Sequence, residues 1–188
     1  MKRTVIALVM AVLPLWGMSQ SVIEKSYDSN YFSEGEAAYD RKAYTAAIEN
    51  FEKYLHSETD VNSEKYRMAK YYISQSQFRL RSKDAYKELE EYIESYPYSP
   101  NKDQSLFSLG TINFEDQNFQ QAINWFEQID EKNLQSYDKT DYLFRKGYSY
   151  IKLKKYSKAR PSFNELVGKE TRYEKSATYY LGYCDYML

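Results

Sequence analysis

Cysteine, proline and glycine are all scarce in this chain, with one, four and six copies among 188 residues. Each scarcity excludes a class of protein. A single cysteine, Cys184, has no partner for an internal disulfide, so the chain is no disulfide scaffold and must be stabilised by packing even in an oxidising compartment. Six glycines exclude a collagen, and the small net charge with many aromatics excludes a disordered tail. Neither sign of charge dominates: 26 Lys and Arg stand against 27 Asp and Glu, a formal −1. That balance leaves no basic footprint for a phosphate backbone, so nucleic acid is not the expected partner. Histidine occurs once, at His56, and no His-x-x-x-His, Cys-x-x-Cys, Gly-x-Ser-x-Gly or phosphate-cradling glycine loop is present. His56 and the carboxylates Glu49, Glu52, Glu90 and Glu91 read as solvated helix-surface groups, and Cys184 lacks a nearby base while Asp185 beside it raises its pKa. The chain reads as no enzyme, with no catalytic residue, cofactor or metal expected. What it has in abundance is tyrosine: 22 Tyr beside 9 Phe and 2 Trp.

Long apolar runs are also lacking. The only candidate, Val5 to Trp16, contains Pro14 and is 12 residues long, whereas a spanning helix needs roughly 20. It follows the basic Lys2 and Arg3 and precedes Gly17-Met18-Ser19, which places small residues at −3 and −1 of a cut before Gln20. Residues 1–19 therefore read as a secretory signal peptide, and no cysteine follows for lipid attachment. The expected product is exported, not lipidated and without a stable membrane span. Removal of Lys2 and Arg3 leaves 24 basic against 27 acidic side chains.

After a short linker at 20–30, the sequence repeats itself. Ala47, Ala85, Ala122 and Ala159 are spaced 38, 37 and 37 residues apart, and a bulky apolar residue follows each by four: Phe51, Leu89, Phe126 and Phe163. Gly35, Gly110 and Gly147 lie twelve before their alanines, and Gly182 opens a further copy. Each unit carries two amphipathic patterns separated by a polar turn, which is a helical hairpin. A glycine inside a helix costs about 1 kcal/mol relative to alanine, so its recurrence implies close approach of the second helix. One hairpin cannot cover its own apolar face, so the copies must stack. The expected fold is an all-α solenoid of four hairpins and one extra helix. Its units fall at approximately 31–62, 63–100, 101–137 and 138–172, with a partial one at 173–188.

This pattern resembles the tetratricopeptide repeat, in which an aromatic or Leu, Leu-Gly and Tyr are followed by Tyr-x-x-Ala, Phe and finally Pro. The third unit matches best, through Leu106, Leu109, Gly110, Phe119, Ala122 and Phe126, whereas the second carries Ile73 at the glycine position. The period near 37 and the segment Tyr96-Pro97-Tyr98-Ser99-Pro100 look like the bacterial envelope branch of that family, which includes outer-membrane assembly and Tol-Pal coordinating factors.

The resemblance implies a non-catalytic scaffold that binds a partner protein or peptide in a concave groove lined by the first helix of each unit. Ligand-facing positions of the family fall here on Phe32, Tyr39, Lys70, Phe107, Phe114, Phe144, Tyr148, Ile151, Tyr179 and Tyr183. Rings at these positions offer large contact area at small rotamer cost, or else they simply pack between neighbouring helices. The ninth position of each unit never carries Asn, so the carboxylate clamp of chaperone-binding members is absent. Trp125 stands where other units carry Asn50, Glu88 and Ser162, so it is expected to face solvent as a docking contact. The last helix is rich in Tyr and is expected to support self-association. A second class of function remains open, in which the repeats are a structural docking module of a larger envelope assembly.

Overall fold

The computed structural model describes residues 30–188. The expected signal peptide and residues 20–29 of the linker lie outside the described residues. Among those described, every regular element is helical. Helix α1 covers residues 30–40, followed by α2 (Tyr44–Ser57), α3 (Glu64–Arg79), α4 (Ala85–Ser95), α5 (Lys102–Glu115), α6 (Phe119–Phe126), α7 (Ser136–Lys152), α8 (Tyr156–Leu166) and α9 (Glu174–Met187). A single 3-10 turn, Glu131–Asn133, interrupts the link between α6 and α7. Consecutive helices pack as antiparallel neighbours, and α5 also touches α3 and α7. The architecture is an all-α stack of helical hairpins.

Four hairpin turns are built alike. Lys42, Arg81, Gln117 and Lys154 each take a left-handed backbone, with φ of 61, 53, 59 and 57°. The residue after each reaches back five positions to a carbonyl: Ala43 to Ala38, Ser82 to Gln77, Asn118 to Asn113 and Lys155 to Tyr150, at 2.8 to 3.0 Å. These bonds satisfy the orphan carbonyls at the end of the first helix and fix the reversal. No glycine occupies the left-handed position, so every turn carries a modest steric cost that the stacked helices offset.

The recurring glycines meet the expected partner. A Cβ built on Gly35 would lie 2.8 Å from the Phe51 ring, one on Gly110 would lie 2.2 Å from Phe126, and one on Gly147 would lie 2.9 Å from Phe163. These rings are wholly buried, as are Ala47, Ala122 and Ala159 four residues before them. Each glycine is thus a socket for the aromatic residue of its own second helix. The second hairpin swaps the pair, burying Ile73 in the first helix and the slimmer Leu89 in the second.

That swap coincides with a break in the core. One apolar cluster joins α1, α2 and α3 through Phe32, Phe51, Tyr54 and Ile73, and a larger one runs from Leu106 to Cys184. Between them α3 buries Ser74, Gln75 and Ser76 and α5 buries Ser105 and Ser108, with Ser108 Oγ donating to Gln75 Oε1 at 3.1 Å. Helix α5 is enclosed on all sides, residues 105–111 all being buried.

Candidate functional site

Stacking brings the end of α3, the α3–α4 turn, α5 and α7 around an open cleft of about 810 Å³. Its walls mix Phe78, Tyr86, Ile112 and Tyr137 with Arg79, Arg81, Lys83, Glu115, Asp116, Asp138, Asp141, Arg145 and Arg172. Many of these charges are tied across helices. Arg172, on the turn before α9, places one terminal nitrogen 2.6 and 2.5 Å from the two oxygens of Asp141 on α7. Arg145 on α7 reaches Glu115 on α5 at 3.5 Å, and Arg81 on the α3–α4 turn reaches the same carboxylate at 3.4 Å. Charge-assisted contacts of this kind hold their groups in one orientation. Burial raises the Asp138 carboxyl above its ordinary range, and Arg79 opposes that effect. Tyr137 sits at the rim, 65% exposed, with the Arg172 guanidinium 5.4 Å from its ring centre. Thr111 Oγ1 and Arg145 Nε are buried in the wall without a hydrogen-bond partner among the described residues.

One hairpin beside this cleft carries a recognisable signature. Residues 141–170 match the tetratricopeptide repeat. The match spans most of α7 and all of α8, the hairpin in which Gly147 receives Phe163. Among curated proteins, none matches the chain.

The helical hairpins place the expected groove residues unevenly. Phe32 and Phe107 are core residues, 6% and 5% exposed, because each ring turns into its own hairpin: Phe32 meets Phe51 and Tyr54 edge-on, and Phe107 packs on Phe126. The expectation of a ligand-facing ring is corrected for Phe32, whereas Phe107, though nearly buried, borders the cleft. Phe144 is stacked on Tyr173 at 4.2 Å, and Tyr148 meets Phe114, Phe119 and Tyr180 edge-on. These rings join α5, α7 and α9 by packing on one another, the alternative left open by the sequence. Tyr39 leans on Tyr72, Tyr183 on Tyr156, and Lys70 and Ile151 are half-buried. Of the ten positions, Tyr179 alone carries an exposed ring, at 68%, and it meets Tyr180 edge-on.

Trp125 also departs from expectation. It is half-buried against the larger apolar cluster with its Nε1 enclosed, so it is not a solvent-facing docking residue. The reason lies in its equivalents: Ser162, polar but small, is itself buried, so polarity at this position never meant exposure.

The cleft's charged side chains were not singled out in the sequence because they lie as far apart as Arg79 and Arg172 and only the superhelical stack gathers them. A smaller hollow of about 420 Å³ lies between α7 and α8. Here Lys146 donates to Tyr142 Oη at 2.6 Å, and Lys139 bridges Glu131 and Glu165 at 3.6 and 2.9 Å. Tyr150 donates to Glu127, which also meets Lys158 at 3.3 Å. Burial lowers the Lys146 pKa, with Glu131 opposing. These contacts fasten the 3-10 turn to the α7–α8 hairpin. Cys184 is buried, and burial first, Asp185 second, pushes its thiol up, which makes it inert. No helix among the described residues is long and apolar enough to cross a membrane.

Proposed function

We propose that the protein is a non-catalytic scaffold, exported to the cell envelope, that holds a partner protein or peptide in the cleft formed by α3, α5 and α7. The observation that carries this reading is the cleft itself, whose charges are pinned by cross-helix ion pairs around an exposed aromatic rim. Pre-set donors and acceptors reduce the ordering cost of binding. Alternation of apolar and charged walls suits a peptide segment carrying both kinds of side chain better than a purely apolar helix. Tetratricopeptide repeats serve generally as interaction scaffolds, which supports the same reading.

Export rests on the basic head, short apolar stretch and small residues of positions 1–19, and the envelope setting rests on the period and inter-unit prolines. A second reading, a docking module of a larger envelope assembly, draws support from exposed Tyr179, Tyr186 and Leu188 on α9. Site-specific photocrosslinking in cells separates the two. A crosslinking residue at Tyr137 is expected to capture a partner, whereas one at exposed His56 on α2 captures none. Equal capture from both sites, or none from Tyr137, overturns the cleft reading. Recovery of a mature chain beginning at Gln20 in the envelope fraction tests export.

A further inference from the structure

Five positively charged side chains border the cleft, Arg79, Arg81, Lys83, Arg145 and Arg172, against four carboxylates, Glu115, Asp116, Asp138 and Asp141. The excess is local, since the whole chain carries a formal −1. It can be traced through the ion pairs. Arg81, Glu115, Arg145, Asp141 and Arg172 form one alternating chain, with successive separations of 3.4, 3.5, 4.0 and 2.5 Å. A cation stands at each end, so three guanidiniums share two carboxylates. Of the remaining charges, burial raises the Asp138 carboxyl and Arg79 draws it back, while Lys83 and Asp116 offset each other in number.

The two ends of that chain are not equally fixed. Arg81 is an exposed side chain on a turn, whereas Arg172 is held in place. Its Nη2 donates to both oxygens of Asp141 and to Tyr173 Oη, and the rings of Tyr137 and Tyr173 lie 5.4 and 4.8 Å from its central carbon. Its Nη1 and Nε make no hydrogen bond among the described residues, and half the side chain is exposed. Those two nitrogens are an edge of the fork that meets a carboxylate with two parallel bonds. A guanidinium fixed in orientation with that edge open loses little freedom on binding. We propose that Arg172 anchors an acidic side chain, Asp or Glu, of the peptide held in the cleft, supplying the third carboxylate of the alternating chain. The inference rests on the cleft reading and names the chemistry its ligand carries. A single surplus charge matches one carboxylate and not a phosphate, which brings up to about two. The source is a side chain within the peptide, because the ninth positions, which clamp a chain-end carboxylate in chaperone-binding repeats, carry no Asn here.

Two random peptide display libraries, alike except for a fixed central Glu or a fixed central Gln, are selected on the 188-residue chain, and the recovered peptides are made with amidated C-termini for calorimetry. The Glu library should yield peptides whose binding is lost in Tyr137→Ala, and changing their Glu to Gln should weaken binding to the parent chain about tenfold or more. In Arg172→Gln, with its fold checked by circular dichroism, the Glu and Gln forms should bind alike. Arg172→Lys keeps a charge for Asp141 but loses the fork, so it should restore only part of the difference. Peptides that need Tyr137 yet bind the parent equally well with Glu or Gln overturn this inference and leave the cleft reading standing. A Glu preference undiminished in both Arg172 variants overturns the anchor, and binding that requires a free C-terminus overturns the source. Peptides indifferent to Tyr137→Ala, or none recovered, overturn the cleft reading and this inference together.

Discussion

Replacing Gly110 by alanine asks whether the glycine sockets are a steric necessity. The new methyl would lie 2.2 and 2.5 Å from two Phe126 ring carbons, where ordinary contact begins at 3.4 Å, so the ring must move by about 1 Å. It has nowhere to go: Phe126 is fully buried, Tyr142 stands edge-on at 5.7 Å and Phe107 lies at 6.4 Å. Overpacking of this kind costs about 3 kcal/mol, at the upper end of the usual range. Alanine returns about 1 kcal/mol through helix propensity, leaving a net loss of about 2 kcal/mol. For a chain of this size that lowers Tm by about 4–8 °C. Gly182→Ala, at the equivalent place in α9 with nothing nearby, should instead gain about 0.5–1 kcal/mol. Urea denaturation followed by circular dichroism measures both. In a Phe126→Leu background the Gly110→Ala penalty should largely vanish, giving a coupling energy of about 2 kcal/mol. A Gly110→Ala protein as stable as Gly182→Ala, or a penalty unchanged by Phe126→Leu, refutes the socket.

Phe107→Ala should destabilise the fold by about 3–5 kcal/mol in the same assay, as expected of a core ring 5% exposed. Asp141→Ala should also lose stability, since it strips Arg172 of its carboxylate and removes the Asp141 oxygen 4.0 Å from Arg145; a neutral result would show the cross-helix pairs to be idle. Glu127 is held below its ordinary 4.5, chiefly by the Tyr150 hydroxyl and then by Lys158. A depressed folded pKa gives stability that is present above the unfolded value and lost as pH falls through the folded one, so stability should drop below about pH 4.5 and Glu127→Gln should flatten that part of the profile. Acrylamide should quench Trp125 weakly compared with a free indole, because the ring is half-buried against the larger cluster.

The fold was legible because its contacts are written in single residue types at fixed spacing. Gly35, Gly110 and Gly147 announce close approach, and the ring each receives lies sixteen residues on, in the same hairpin. The hairpin turns left no such mark, since Lys42, Arg81, Gln117 and Lys154 take a glycine's conformation without being glycine. Site reading fared differently. Aromatic side chains suit both packing between helices and binding a ligand, and a sequence does not divide Phe144, stacked on Tyr173, from an exposed ring such as Tyr137. Tyr137 and Arg172 belong to the cleft through the stacking of α7 and the turn before α9, and their positions lie outside the family's ligand-facing places.

The most direct test of the central claim is the affinity of peptides selected from a random display library on the 188-residue chain, measured by calorimetry against Tyr137→Ala, Arg79→Ala and Tyr179→Ala variants. If the cleft is the binding site, Tyr137→Ala and Arg79→Ala each weaken binding about tenfold or more, a loss of about 1.4 kcal/mol per factor of ten, while Tyr179→Ala on α9 leaves it unchanged. Peptides that bind the Tyr137→Ala and Arg79→Ala chains as tightly as the parent contradict the account.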